Sequence, residues 1–298
     1  MSRTKSLSDP QWALIAPLMP SPTGKGGRPF NDHRLMVEGI IYRYRTGTPW
    51  RDLPESFGSW KTVWKRHRRF SGDGTWDKIL TKLLTHADEV GLIEWEVSVD
   101  STVNRAHQHG TNLGRATGGS SNYTNLLIEP PENAVGRSRG GLTTKIHALC
   151  DAKMRPLVML LGTGQGGDSP MFPEVMASLR VPRRGKGGPR TKPDRTMADK
   201  AYASKANRKL LRDRGIEAVI PEKSDHIANR KRLGQKGGRP PTFDTEAYKR
   251  RNVIERCFNT FKDWRGIATR YDKLALTYRG GVVLRAITIW LKLLGDTP

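Results

Sequence analysis

The sequence predicts a small all-α domain followed by an α/β domain built on a mixed sheet. Over the first ninety residues, apolar side chains recur at helical spacing, as at positions 37, 40, 41 and 44. From Glu94 the period changes to two, and apolar residues alternate with polar ones as they do in a strand. After Asp168, helical and strand-like segments alternate along the chain, which is typical of α/β domains.

The charge balance indicates a polyanionic partner. The 298 residues include 52 Lys and Arg against 29 Asp and Glu, a formal net charge of +23. Positive charges in such excess repel one another and destabilise a compact chain. Binding to nucleic acid phosphates offsets this repulsion and is favoured by the release of counterions. A membrane surface fits less well, because the basic residues are spread along the chain instead of forming one amphipathic anchor.

Several classes are excluded by composition. The two cysteines, Cys150 and Cys257, provide neither a disulfide framework nor a Cys-x-x-Cys motif. The apolar stretch 281–294 is too short to span a bilayer, and the polar N-terminus lacks a signal segment. His107 and His109 form a close pair without further ligands nearby, so a zinc site is not favoured. We therefore expect a reducing, cytoplasmic environment.

The predicted domain at 1–90 has the form of a helix-turn-helix. Helices are expected over residues 8–18, 32–46, 51–57, 60–70 and 76–87, with Ser8 and Ser59 as caps. In the fourth helix, Trp60, Val63 and Trp64 form the apolar face expected to pack on the core. The opposite face carries four cations, which are Lys61, Lys65, Arg68 and Arg69. A basic helix after a Gly-containing turn favours DNA contact, although a solvated face on a structural helix is the alternative.

The predicted α/β domain covers 91–298. Its strands are expected near 95–100, 141–150, 157–161, 195–199 and 218–220, and its helices at 168–179 and 204–214. A polar insertion is expected at about 104–140, and basic loops at 183–195 and 223–241.

The most informative segment is a predicted helix from Thr245 to Trp264. At about 100° per residue, its polar residues fall within a sector of roughly 100° while Trp264 lies on the apolar side. The stripe consists of Tyr248, Arg251, Asn252, Glu255, Asn259 and Lys262. One carboxylate flanked by cations and a tyrosine in a single stripe favours a binding or catalytic face.

At these residues the chain resembles the DDE-type transposases of bacterial insertion sequences, in the insertion-sequence-five-like branch. Tyr248, Arg251, Glu255 and Lys262 match the signature Y-(2)-R-(3)-E-(6)-K. Further resemblance lies in VDSTVNRAHQHG, GRSRGGLTTKIHALCDA and ADKAYAS, and in the N-terminal LSDPQWALIAPLMP and TGTPWRDLPESFGSWKTVWKRHRRF. Two departures leave the acidic positions intact: Ala203 where the family often has Asp, and Gly166-Gly167 where Arg-His commonly precedes Asp168.

The resemblance implies an RNase H-like fold in which Asp100, Asp199 and Glu255 are the catalytic metal ligands. Three converging carboxylates need metal or shared protons, and oxygen-only ligation selects Mg²⁺, with Mn²⁺ as the other option. Two ions would clamp an in-line displacement at phosphorus. Arg251 and Lys262 would then hold phosphate, and Tyr248 would contact the nucleotide at the cleavage point.

The reaction implied is the cutting of insertion-sequence ends by metal-activated water, followed by attack of the freed 3′-OH on target DNA. The partners are double-stranded DNA ends and target, with a homo-oligomer on DNA and no small-molecule substrate or membrane. Two alternatives stay open, an RNase H-like nuclease without joining activity and a non-catalytic DNA-binding regulator.

Overall fold

The computed structural model describes residues 6–20, 32–111 and 126–295. The helices are α1 (Asp9–Ile15), α2 (His33–Thr46), α3 (Trp60–Gly72), α4 (Thr75–Glu89), α5 (Gln108–Thr111), α6 (Asp168–Ser178), α7 (Lys205–Asp213), α8 (Ser224–Arg232), α9 (Thr245–Lys249), α10 (Asn252–Lys262), α11 (Arg265–Ala268) and α12 (Ala275–Gly295). The strands are β1 (Glu96–Ala106), β2 (Gly136–Ser138), β3 (Gly141–Asp151), β4 (Pro156–Thr163), β5 (Arg195–Ala198), β6 (Glu217–Val219) and β7 (Thr269–Arg270).

Capping residues mark the start of helices α1 and α2 and the end of α2. Ser8 caps α1 in a reciprocal capping box with Gln11. Asp32 accepts the free N–H groups at the start of α2, and Gly47, with φ of 73°, ends that helix in the left-handed conformation. The connection from α2 to α3 contains two short 3₁₀ turns, at 50–52 and 55–57, where a single helix over 51–57 was expected.

The sheet is mixed, as predicted. Its strands lie in the order β2-β3-β1-β5-β6, with β4 also pairing with β3 and β7 with the far end of β1. β1, β3 and β4 are antiparallel neighbours, whereas β5 runs parallel to β1 and β6 runs parallel to β5. This order places the first strand and the strand ending at residue 198 side by side.

The hydrophobic core crosses the predicted boundary at residue 90. Helix α12 packs against α3 and α4 on one side and against β4 on the other, and Trp290 within it is fully buried. Gly281 allows the ring of Tyr44 to approach the α12 backbone, since a Cβ there would lie 2.2 Å from the ring. The N-terminal helices therefore share one core with the sheet.

The predicted polar insertion at 104–140 and the basic loop at 223–241 are wrong in part. β1 continues through Ala106, because Asn104 is buried and its side chain donates to the Ile267 carbonyl at 2.7 Å. Residues 136–138 form β2, while 112–125 lie outside the described residues. Residues 224–232 form α8, which has no buried residue and hence no apolar period to reveal it.

The predicted helix from Thr245 to Trp264 is wrong in its continuity. It divides into α9 and α10 around Arg250 and Arg251, where successive N–H groups donate three residues back instead of four. The tighter turn changes the direction of the stripe without a Gly or Pro to signal it. Within the described residues, no helix is both long and apolar enough to cross a membrane.

Candidate active site

Asp100 and Asp199 are brought together by strand register. Val99 of β1 is paired with Ala198 of β5 in the parallel ladder, so the next residue on each strand is an aspartate. Asp199 ends its strand and caps a short 3₁₀ turn, with its Oδ1 accepting from the Ala201 N–H at 2.8 Å. This juxtaposition is the first half of the predicted carboxylate site.

The carboxylate of Asp100 is partly buried and interacts with one cation. Its Oδ1 accepts from the Ser101 N–H at 2.8 Å, and its Oδ2 accepts from Arg251 at 2.8 Å. Burial raises the pKa of Asp100 above its ordinary value and nearby Asp199 raises it further, whereas Ser101 and Arg251 act in the opposite direction. A second cation beside Asp100 and Asp199 would thus favour the ionised carboxylate.

Glu255 is linked to Asp100 through one guanidinium. Arg251 donates from one nitrogen to Asp100 and from the other to Glu255 Oε1 at 2.6 Å. The Arg251 side chain is 15% exposed, whereas the Glu255 side chain is 56% exposed and faces outwards from α10. Arg251 was predicted to hold phosphate; in this state it bridges two of the three predicted catalytic carboxylates.

The other two members of the signature occupy different positions. Tyr248 packs on a small apolar cluster with Met197 and Val219, and its ring lies 5.7 Å from the Arg251 guanidinium. Lys262 is exposed, and its ammonium lies 3.5 Å from the carbonyl oxygen of Val103 on β1. Because Val103 is three residues beyond Asp100, Lys262 lies about 10 Å along the strand from the carboxylates.

Sequence reasoning missed a second polar cluster behind β1. Ser101 faces away from Asp100 and donates to Asp168 Oδ1 at 2.7 Å, and Lys145 donates to the same oxygen at 2.8 Å. Lys145 and Ser101 together hold the pKa of Asp168 below its ordinary value, although burial acts in the opposite direction. The sequence marked Asp168 as the start of a helix and as a position that the family resemblance includes, but neither signal predicts its contacts with Ser101 and Lys145.

Tyr202 is the second residue that sequence reasoning did not single out. It is 1% exposed, and its hydroxyl lies close enough to Ser101 to interact with it. Burial raises its pKa well above the ordinary value, and the carboxylates of Asp100, Asp168 and Asp199 raise it further. This buried hydroxyl therefore lies among the carboxylates next to the candidate site.

The donor set fits a hard divalent cation. All three predicted ligands supply carboxylate oxygen, and two of them are adjacent across the sheet. Within the described part of the chain, no three His, Cys, Asp or Glu side chains are already gathered closely enough to cage a metal ion. Arg251 lies between Asp100 and Glu255 and forms an ion pair with each of them.

The basic helix α3 presents its cations unequally. Lys61 and Lys65 are exposed, whereas Arg68 and Arg69 are half-buried. Arg69 lies 3.5 Å from Asp73 one turn later. The buried face consists of Val63, His67 and Phe70. Trp60 packs against the core cluster, as predicted, although it is only half-buried. The same prediction is wrong for Trp64, which is half-buried beside a cavity.

Comparison with known proteins gives consistent matches. Residues 7–80 match the family described as "Putative transposase of IS4/5 family", and residues 93–289 match the family described as "Transposase DDE domain". The chain is 30% identical over 151 residues to the "Putative transposase for insertion sequence element IS6501" of Brucella ovis, covering 51% of this chain and all of that protein.

Two further matches are a sequence relative and a structural neighbour, and only the first supports an inference. The chain is 34% identical over 116 residues to the "Insertion element IS402 uncharacterized 16.2 kDa protein" of Burkholderia cepacia, covering 37% of this chain and 79% of that one. A crystal structure of a pre-cleavage Mos1 transpososome aligns at 11% identity over 94% of this chain and 83% of that chain, but its TM-score of 0.22 supports no inference. The chain therefore belongs to the DDE transposases of insertion sequences.

Proposed function

We propose that Asp100, Asp199 and Glu255 form the catalytic metal site of this transposase. The observation that carries the proposal is the register of β1 and β5, which sets two aspartates side by side, together with Arg251, which ties Glu255 to the first of them. DDE transposase domains use divalent metal ions, and we propose Mg²⁺, with two ions bound. When bound, these ions would activate water and stabilise the attacking and leaving oxygens of an in-line displacement at phosphorus.

The protein's own residues hold the DNA in this proposal. Arg251 exchanges its carboxylate partners for a phosphate oxygen once the carboxylates bind metal, since its planar fork suits either group. Lys262 lies about 10 Å along β1 and contacts the next phosphates. Tyr248 packs beneath Arg251 and limits the directions in which the guanidinium can move.

Helix α3 supplies the second DNA contact in this proposal. Its exposed Lys61 and Lys65 point away from the buried face of the helix, and neither forms an ion pair with a carboxylate in the described part of the chain. Duplex ends of the insertion sequence would lie along this surface, where each neutralised phosphate releases a counterion. Binding to two ends at once favours a homo-oligomer on DNA.

The test is a cleavage and joining assay. Duplex DNA carrying the insertion-sequence ends is incubated with the full chain, a supercoiled target plasmid and Mg²⁺. We expect nicks at the ends and covalent joining of the 3′ ends to target DNA, with neither product in EDTA. Cleavage without joined product would instead support a nuclease, and binding without either product would support a regulator.

A further inference from the structure

A cavity lies between the basic helix α3 and the mixed sheet, and none of the three proposed metal ligands lines it. Its volume is about 790 Å³, within the range of pockets that take small-molecule-sized ligands. One wall comes from the α2–α3 connection and α3, and the other from residues that follow β1 and β7. We call it the tryptophan cavity, and its lining includes Trp50, Trp60, Trp64, Arg51, Arg68, His109, Tyr271 and Lys273.

The aromatic side chains of this cavity are incompletely covered. Trp50, Trp60, Trp64 and Tyr271 are all half-buried, so each leaves part of its ring facing the space. Three of the four tryptophans that are partly exposed line this one concave surface, whereas Trp76 and Trp290 are completely buried. The Trp50 ring is already in contact with His67 at 5.8 Å and with the Arg43 guanidinium at 4.8 Å. The cavity therefore offers its stacking faces chiefly through Trp60, Trp64 and Tyr271.

Cations flank the aromatic rings. The guanidinium of Arg51 lies 5.8 Å from the Trp60 ring centroid, and that of Arg68 lies 5.7 Å from the Trp64 ring. The carboxylate of Asp272 faces the same cavity but is neutralised by Arg43 at 3.0 Å. A ligand that complements this lining has a flat aromatic part and negative charge.

We propose that the tryptophan cavity binds one unpaired nucleotide of a DNA strand. An unpaired base exposes two faces for stacking on indole, and its phosphate can pair with Arg51 or Arg68. A base inside a duplex has neither face free, and a cavity of this volume does not admit a duplex. This inference rests on the proposed function in taking DNA as the substrate.

The fold also sets the distance between the tryptophan cavity and the proposed catalytic carboxylates. Six residues of β1 separate Asp100 from Ala106, a span of about 20 Å, and His109 of the cavity follows directly. At about 3.4 Å per nucleotide step, the cavity lies roughly six nucleotides from the phosphodiester at Asp100. Arg68 belongs both to the cavity lining and to the cationic face of α3, so a strand leaving the duplex there can enter without a gap.

The first experiment measures binding of a fluorescent twelve-nucleotide oligothymidylate to the full-length protein. Trp60→Leu and Trp64→Leu keep apolar bulk but remove the stacking surface, and Arg51→Gln removes one cation. The matched control is Trp12→Leu, a half-buried tryptophan on α1 outside the cavity. We expect each tryptophan variant of the cavity to weaken oligothymidylate binding by about tenfold. Binding to a blunt duplex and the control variant should stay within a factor of two.

Two outcomes would overturn the proposal. Oligothymidylate binding that is unchanged in both tryptophan variants excludes the cavity as its site. Equal loss of single-stranded and duplex binding shows instead a general phosphate surface. A second measurement places 2-aminopurine at successive positions of the end DNA, and we expect the largest fluorescence change roughly six nucleotides from the cleaved bond. Failure of the proposed metal site would be seen in cleavage alone and would leave these binding results unaffected.

Discussion

Asp272 forms a buried ion pair that joins the N-terminal helices to the segment after the sheet. Its Oδ2 accepts from Arg43 at 3.0 Å and from the Tyr44 hydroxyl at 2.9 Å. The side chains of Arg43 and Asp272 are 3% and 4% exposed. The change Asp272→Ala would leave the Arg43 guanidinium buried without a counter-charge.

Removal of one partner of such a pair costs about 3–5 kcal/mol of the free energy of unfolding. That is about a third or more of the total stability of a typical protein. The double change Arg43→Met with Asp272→Leu removes both charges and keeps apolar volume, so most of the loss should be recovered. The Thr277 carbonyl lies 3.0 Å from the Tyr44 hydroxyl, so it can accept that proton when Asp272 is replaced.

Urea unfolding of the full chain, followed by tryptophan fluorescence and by circular dichroism, measures these free energies. The two probes should give coincident transitions, because the core is continuous across residue 90. A loss below about 1 kcal/mol in Asp272→Ala would refute the buried pair, since even an ordinary hydrogen bond contributes that much. A double variant no more stable than Asp272→Ala would refute the assignment of the loss to an unpaired charge.

Three further predictions concern charge. Arg251→Ala should slow cleavage by about a hundredfold at saturating DNA, with Arg251→Lys restoring only part of the rate because the bidentate fork is lost; equal rates in all three proteins would show a solvated charge. Lys61→Gln with Lys65→Gln should reduce the slope of log affinity against log salt by about 2 for duplex DNA, which filter binding over a salt series would measure. Burial lowers the pKa of His67 to about 4 from its ordinary value of 6.5, so its neutral form contributes stability above pH 6.5 that is lost as pH falls towards 4. That loss is about 3 kcal/mol of the free energy of unfolding. His67→Gln should reduce the fall of this free energy between pH 6.5 and pH 4, measured by urea unfolding, by about half. The other half remains because burial also lowers the pKa of His147 to about 4.

The sequence predicted the secondary structure of the strands that hold the site, but only the resemblance predicted their pairing. The alternation of apolar and polar residues predicts that each of these strands ends near an aspartate, and it depends only on residues that are neighbours in the sequence. The pairing of Val99 with Ala198 depends on a sheet order that brings residues a hundred positions apart together. No periodicity encodes that order, because β1 and β5 have other strands between them along the chain.

Side-chain partners were less predictable than positions. The stripe on α10 placed Glu255 one turn from Arg251, so their ion pair follows from helical spacing. The second partner of Arg251, Asp100, lies on a strand 151 residues earlier. The break between α9 and α10 escaped prediction for a similar reason, since Arg250 and Arg251 are ordinary helix formers.

Helical spacing overstated the burial of two tryptophans. Trp60 and Trp64 were placed with Val63 because all three fall on one face of the predicted helix. In the fold, Val63 is fully buried while both tryptophans are half-buried. The facing wall of the cavity comes from Tyr271 and His109, and their approach depends on tertiary packing that helical periodicity does not contain.

The central claim is that three carboxylates on β1, after β5 and on α10 carry the chemistry, and Glu255→Gln tests it most directly. This change keeps the size of an exposed side chain and removes only its charge. Cleavage of insertion-sequence end DNA in Mg²⁺ is measured in a single turnover, with duplex binding measured on the same samples. The account predicts loss of both cleavage and joining with binding within about twofold of the unchanged protein. Cleavage at the unchanged rate would contradict it.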